Sequence, residues 1–341
     1  MRSAARIPAH AHTNGITTVS ATIVRYETPT EGPSEGKLAT IAASALQASF
    51  GLKPVWREPL AKHTSVRVGG PADLLIRVRS QEALRLVATE AYTQAIPFRV
   101  IGDGTNLIAA EAGFRGLVIR NHGGDRKLCA DGVSVWADAG CSLISTARWT
   151  ASLGLSGLEG AATIPGTVGG AVVNNAGAYG WTAADSVVRT KVLDRYGERW
   201  MYPDELRYSY RTSTLKEQPG YAVVLGAEMR LTPGDADRIL ATMQSRLETR
   251  QRTQPTAPSS GSVFRNPAGH SAWKLIDEAG MRGKESGGAH VSALHTNFII
   301  NGGSATADDV LALIREIEEA VKSRLHISLQ REIELFGEWE E

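Results

Sequence analysis

The segment that most constrains this chain is LGLSGLEGAATIPGTVGGAVVNNAGAYGW, residues 153–181. It holds eight of the chain's 35 glycines and no charged side chain between Glu159 and Asp185. Its apolar residues follow neither the period of an amphipathic helix nor the alternation of a half-buried strand. Glycine at this density serves close approach. A backbone without Cβ atoms can lie against a neighbour, and its turns leave N–H groups able to meet an anion such as a phosphate. A lone GTVGG reads as readily as a buried turn. Two further stretches argue for more: RVIGDGTNLI at 99–108 and SSGSVFRNP at 259–267.

The remaining sequence narrows the class. A length of 341 residues exceeds one ordinary core, so two or three domains are expected. With 37 basic and 36 acidic residues the charge is balanced, which excludes the basic footprint of a nucleic-acid-binding protein. Cys129 and Cys141 are too few for a disulfide framework and lack metal-ligand spacing. They read as small buried residues of a reducing compartment, and no metal is expected. No apolar run approaches the ~18 residues of a membrane span. A soluble, cytoplasmic, monomeric protein is therefore expected. Residues 1–36 carry Arg2, Arg6 and Arg25 with no acid before Glu27. That composition suits a transit peptide, but the amphipathic stripe is missing, and a disordered extension is the expectation.

Along the chain, the spacing predicts a helix over 38–50 stopped by Gly51, then strands at 66–68 and 74–78 split by Gly69-Gly70-Pro71. A helix over 80–91 opens with Ser80 as its cap. The strand 98–101 runs straight into Gly102-Asp103-Gly104, which has the punctuation of a βαβ unit. Leu107 stands where a Rossmann fingerprint needs its third glycine, and no Gly-Lys-Ser/Thr follows for a P-loop. Downstream come strands at GLVIR and GVSVWADAG, a helix over 143–152, a hairpin about Tyr196-Gly197, a strand in YAVVLGAEMRL and a charged helix over 237–252. Helices over 273–279 and 307–322, a strand over 297–301 and a last strand over 327–336 carrying Glu332 complete the pattern. Short mixed strands with interspersed helices indicate an α+β fold rather than a doubly wound sheet.

Eight segments occur in one order between Lys62 and Gly337: KHTSVRVGGPADLL, IGDGTNLI, GLEGAATIPGTVGGAVVNNAGAYG, YSYRTS, SSGSVFRNP, KLIDEAGMRG, GGAHVSALHTNFIIN and LQREIELFG. Together they resemble the UDP-N-acetylenolpyruvoylglucosamine reductase family, also called UDP-N-acetylmuramate dehydrogenases. The resemblance implies a PCMH-type FAD-binding domain of the vanillyl-alcohol-oxidase kind over 68–233 and a C-terminal α+β substrate domain over 234–341. Residues 37–67 would supply a helix and strand packed on the flavin domain. Its implied partners are non-covalent FAD, NADPH as co-substrate and a UDP-amino sugar.

By the same resemblance, FAD is held by Ile101, Gly102, Asp103, Gly104, Thr105, Asn106 and Leu107, and by Ile164, Pro165, Gly166, Thr167, Gly169, Gly170 and Ala171. The implied reaction passes hydride from NADPH to the flavin, then from flavin N5 to C3 of an enolpyruvyl ether, with a proton delivered to C2. Charge then builds on the substrate carboxylate. That calls for a cation, a donor and an acid, roles implied for Arg211, Glu332 and Ser262. A guanidinium can clamp a carboxylate with two parallel hydrogen bonds, whereas Glu332 helps only if protonated or hydrogen-bonded. Taken singly, Arg211 and Glu332 read as ordinary strand residues and Ser262 as part of a turn. Tyr210, Arg265 and Asn266 are the implied substrate contacts; Arg265 replaces a common lysine, and His290 and Trp273 also depart from the pattern. The interval between YSYRTS and the serine motif is filled by a strand and a helix, which places the chain in the branch without a tyrosine-bearing loop insertion. An alternative is another flavin oxidoreductase on the same flavin-binding fold, such as an alcohol or sugar oxidase; those often attach FAD through a His or Cys, for which His63 is the candidate. A non-catalytic binding module fits less well, because Arg211, Ser262 and Glu332 occur together.

Overall fold

The computed structural model describes residues 34–123 and 127–339. Of the expected extension over 1–36, positions 1–33 lie outside the described residues, while Glu35 and Gly36 already belong to the first helix. That helix, α1 (Glu35–Gln47), buries Leu38, Ile41, Ala42 and Ala45, one face at spacings of three and four.

The first sheet consists of β1 (Pro54–Pro59), β2 (Pro71–Val78), β3 (Phe98–Ile101) and β4 (Phe114–Asn121), in the order β1-β2-β4-β3. β2 and β3 run parallel to β4, and β1 is an antiparallel edge. β1 escapes prediction because Pro54 and Pro59 bracket it, and proline is tolerated on an edge that pairs on one side only. The strand expected at 66–68 is absent. Arg67 takes a left-handed φ of 60°, and Val66 and Val68 are buried in the C-terminal core instead. Helix α2 (Gln81–Thr93) is capped by Ser80, whose Oγ accepts from the Ala83 N–H. Its apolar face joins a core shared with Leu193, Val223 and Leu225 of the second sheet, so α2 sits between the two sheets.

The second sheet is antiparallel: β5 (Leu128–Asp131), β6 (Ser134–Asp138), β7 (Val187–Asp194), β8 (Gly197–Met201) and β9 (Val223–Arg230), ordered β8-β7-β9-β6-β5. The β7–β8 hairpin turns at Tyr196 as expected, with Asp194 opposite Gly197. One face is covered by α3 (Leu143–Ser152), α4 (Val168–Asn174) and α5 (Ala236–Thr253). Cys141 is buried there, but Cys129 is exposed on edge strand β5, against the expectation of two buried thiols. Ile239 and Met243 of α5 pack into this same core. The boundary expected near Pro233 therefore precedes a helix that still belongs to the preceding lobe; the core changes after Thr253.

The C-terminal lobe pairs β10 (Ala289–Val291) with β11 (Ile299–Asn301) and packs α6 (Ala272–Glu278) and α7 (Ala307–Leu325) around Phe264, Ile314 and Ile317. The last strand is shorter than expected. Only Glu334–Phe336 is extended, paired parallel with Leu107–Ala109, and Glu332 lies in the irregular segment just before it. This pairing joins the C-terminal tail to the end of the first glycine turn. Asn301 Nδ2 adds a bond to Val66 O (2.9 Å), and Ser65 Oγ donates to Ser259 O (2.6 Å).

Candidate active site

A cavity of about 620 Å³ opens between the two sheets and the C-terminal lobe, within the range typical of ligand sites. Both glycine segments line it: 101–107, at the end of β3, and 164–171, leading into α4. They meet face to face. Thr105 Oγ1 donates to Pro165 O at 3.2 Å, and a Cβ on Gly102 would fall 2.5 Å from Thr167 Oγ1. Gly104 has φ +64°, and a Cβ there would lie 2.0 Å from His63 O, so only glycine fits.

Within this cradle the amides divide into two groups. Among the described residues, the N–H groups of Gly102, Asp103, Gly104, Thr105, Asn106, Gly166 and Thr167 have no protein acceptor. Those of Val168, Gly169, Gly170 and Ala171 are spent internally, on Cys141 O, Ala139 O, Thr167 Oγ1 and Thr167 O. Both turns were expected to present N–H groups; the second does so only through Gly166 and Thr167. Gly169 serves close packing against Ala139, whose Cβ and O would sit 3.0 and 3.2 Å from an added Cβ. Seven amides gathered at one cavity wall, with no lysine or arginine in either segment, suit the pyrophosphate of FAD. Ser260 Oγ and Asn121 Oδ1, both on buried cavity-lining residues, also lack partners among the described residues. The residues present therefore fit this cofactor. Asp103 is the one acid in the cradle, and it is met from outside by the Arg120 guanidinium, Nη2 at 3.7 Å, with His122 Nδ1 at 2.5 Å.

A second region of the same cavity is built from charges. Arg211 stands at the tip of a tight turn in which Ser209 and Thr212 exchange backbone hydrogen bonds of 3.1 Å. Its φ of 58° is left-handed, which costs about 1–2 kcal/mol for a residue with a Cβ. The end of α4 holds that turn: Asn175 Nδ2 donates to Ser209 O (2.9 Å), and Ser213 Oγ donates to Val173 O (2.6 Å). The glycine-rich stretch thus positions Arg211 while carrying no reactive side chain of its own. Arg211 Nη2 donates to Gly177 O (2.6 Å), and its Nε lies 2.9 Å from Glu332 Oε1.

Burial pushes the Glu332 carboxyl above its ordinary range, outweighing the opposing pull of Arg211 and Lys216. Glu332 is fixed through its backbone: its N–H donates to Val263 O (2.8 Å), and its carbonyl accepts from Lys216 Nζ (2.9 Å) and Asn106 Nδ2 (3.4 Å). Val263 directly follows Ser262, so this pairing sets the serine beside Glu332. Asn297 clamps the next residue from both sides, accepting from Phe264 N (2.9 Å) and donating to Phe264 O (2.8 Å).

Arg211, Ser262, Glu332 and all fourteen expected FAD contacts therefore line one cavity. The three expected substrate contacts do not line it. Tyr210 is exposed beneath the Arg211 guanidinium, 5.4 Å from its ring centroid, and Arg265 is half-buried within electrostatic reach of Glu332. Asn266 accepts from Ala272 N (2.9 Å), capping α6 where Ser271 makes no side-chain cap bond. His290 pairs opposite Ile300 in the β10–β11 sheet, and Trp273 lies with its ring 6.0 Å from His295. Lys216 and Arg250 escaped sequence reading although both line the cavity. A lysine in TLKEQ and an arginine in a polar helix carry no local signal.

The comparisons with known proteins assign the family. Residues 72–200 match the FAD binding domain family, and residues 254–336 match the C-terminal domain of UDP-N-acetylenolpyruvoylglucosamine reductase. The reductase of that name from Carboxydothermus hydrogenoformans is 43% identical over 283 residues, covering 82% of this chain and 93% of its own. The chain belongs to the UDP-N-acetylenolpyruvoylglucosamine reductase family. The Bacillus subtilis reductase is 39% identical over 288 residues, covering 84% of this chain and 94% of its own. The crystal structure of the reductase from Thermus caldophilus superposes with a TM-score of 0.71 at 36% identity, covering 84% of this chain and 98% of its own. Family membership makes the chain a flavin-dependent oxidoreductase with FAD as its cofactor. It also disfavours a flavin bond at His63. That residue is buried outside the cavity lining, with Nε2 3.1 Å from Glu58 Oε1 and Nδ1 3.4 Å from Arg120 Nη1.

Proposed function

We propose that this chain reduces the enolpyruvyl ether of a UDP-amino sugar, UDP-N-acetyl-3-O-(1-carboxyvinyl)-glucosamine, to UDP-N-acetylmuramate, with NADPH as the electron source. The observation that carries this reading is the convergence of Arg211, Glu332 and Ser262, from three distant segments, on the cavity lined by the glycine cradle. Bound FAD supplies the hydride chemistry.

The protein's own residues then have three tasks. Arg211, held on one side by Gly177 O and on the other by Glu332, presents a permanent cation to the substrate carboxylate. Glu332, whose raised carboxyl retains a proton more readily than an exposed glutamate, donates toward the charge that grows there. Ser262 delivers the proton to C2, and the negative charge left on its Oγ is stabilised by the surrounding cations. Arg265 and Tyr210 at the rim, together with Asn266, extend the substrate contacts. The interval after Thr212 is occupied by a short helix (Thr214–Glu217), β9 and α5, so closure does not depend on an inserted loop. In this reading the protein is a cytoplasmic monomer acting in peptidoglycan precursor synthesis, without nucleic-acid or membrane partners.

The test is optical. The yellow holoenzyme should bleach anaerobically with NADPH and regain its colour on adding the enolpyruvyl nucleotide sugar, and acid denaturation should release all flavin. Failure of the recolouring step overturns the reading; flavin retained by the denatured chain supports the attached-flavin oxidase instead.

A further inference from the structure

The charges lining the cavity do not balance. Its acids are Asp103, Glu332 and Glu334, and each already has a cation: Asp103 has Arg120, Glu332 has Arg211, and Glu334 has Arg99 at 2.7 Å. Of the lining cations, Lys216 and Arg250 have no carboxylate within salt-bridge distance among the described residues. Arg250 projects from α5. Lys216 is half-buried beside the Arg211–Glu332 pair, and its ammonium donates to the neutral carbonyl of Glu332 at 2.9 Å.

A buried ammonium spends one of its three donors on a carbonyl and has two left. Desolvating a cation without a counter-charge is expensive, so such a group persists where something else supplies the anion. Burial and the nearby Arg265 and Arg211 lower the Lys216 ammonium below the ordinary lysine range, against the pull of Glu332 and Glu334. A bound anion would reverse that strain.

We propose that Lys216 is a substrate-contacting cation of this site: with Arg211 it binds the carboxylate of the enol-ether substrate and the negative charge that grows on it during reduction. The proposal rests on the reading above, and it assigns two cations to a carboxylate for which the sequence offered one. Its placement follows from the fold. Ser213 Oγ accepts from the Lys216 N–H at 3.3 Å, so the helix turn that follows the Arg211 turn brings the lysine back to the same wall.

Three variants of the FAD-loaded enzyme separate charge from mere support of the Glu332 carbonyl. Lys216→Gln keeps a donor without the charge, Lys216→Arg keeps the charge, and Lys216→Met keeps neither. Calorimetric titration with the lactyl-ether product should show binding weakened about 100-fold in Gln and Met, the scale of one lost charged hydrogen bond, and within tenfold of wild type in Arg. Flavin reduction by NADPH should stay within about threefold in all three, whereas reoxidation by substrate should fall about 100-fold in Gln and Met. The alkaline limb of kcat/KM should move to higher pH in Arg. The melting temperature at pH 7 should be unchanged or higher in Met, because the buried charge is gone. Product binding by Lys216→Gln at wild-type strength overturns the proposal, as does unchanged reoxidation in Lys216→Met. A wild-type enzyme that never recolours with substrate overturns the functional reading instead.

Discussion

The cavity has two walls made on opposite principles. The cradle at 101–107 and 164–167 is backbone: seven amides without a protein acceptor among the described residues, no basic side chain, and glycines where a Cβ would collide. The other wall is side chain: Arg211, Lys216, Glu332 and Ser262, with the Arg211 turn and Lys216 tied by hydrogen bonds to main-chain carbonyls. A cofactor that stays bound can be met by fixed dipoles. A substrate whose charge changes during reaction calls for groups that carry or move protons. Asn106 is the seam between the walls, donating to Asn174 Oδ1 (3.0 Å) and Glu332 O (3.4 Å) while accepting from Glu334 N (3.0 Å).

If this division holds, damage to either wall should be separable. The largest effect belongs to Gly104→Ala. Its Cβ would lie 2.0 Å from His63 O in a left-handed backbone, so strain and overpacking together should cost about 2–5 kcal/mol. The purified protein should lose its yellow colour, which an absorbance scan at equal protein concentration checks; full flavin content would break the backbone half of the comparison.

Glu332→Gln comes next and should spare the flavin. Reoxidation by substrate should slow about 10- to 100-fold, read by stopped-flow absorbance. Stability supplies the signed test. Because the folded carboxyl titrates above the unfolded one, the native state binds the extra proton, and stability falls as pH rises from the unfolded value through the raised folded value. Glutamine removes that fall. The melting-temperature difference, variant minus wild type, should therefore grow with pH above the unfolded glutamate range; a flat difference would remove the raised carboxyl from the account.

Gly169→Ala sharpens the division inside the cradle. Its N–H already donates to Ala139 O, and the added Cβ meets Ala139 at 3.0 Å. Helix propensity gains about 1 kcal/mol against that crowding, so thermal stability should change by no more than about 1 kcal/mol and flavin affinity less than threefold by fluorescence titration. A large affinity loss would return 168–171 to the anion-binding wall.

Asn266→Ala should have the smallest effect. Loss of the bond to Ala272 N should lower stability by about 1 kcal/mol in denaturant unfolding. As a rim contact, Asn266 should raise KM less than tenfold.

These two walls were unequally legible. The cradle announced itself because glycine is demanded by backbone geometry, and the sequence shows that demand directly at Gly104 and Gly166, both at positive φ. Which of its amides are free was not legible, since that depends on Ala139 and Cys141 approaching from the turn after β6. The charged wall was legible only as a resemblance: Glu332 sits in an irregular segment where alternation suggested a strand, and Lys216 carries no motif. Among the elements, helix α2 followed from its Ser80 cap and apolar spacing. Edge strand β1 and the buried turn at Val66–Val68 did not, because prolines masked the first and a left-handed Arg67 broke the second. Helix α5 was found but given to the wrong lobe, as its polar composition hides the two contacts, Ile239 and Met243, that attach it.

The separation of the two walls is tested most directly by Ser262→Ala in anaerobic half-reactions. Ser262 lines the charged wall and makes no hydrogen bond to the cradle among the described residues. Bleaching of the flavin by NADPH should proceed at the wild-type rate, while recolouring by the enolpyruvyl nucleotide sugar should slow at least 1,000-fold, within the range of a lost general acid. Recolouring at the normal rate would contradict the account.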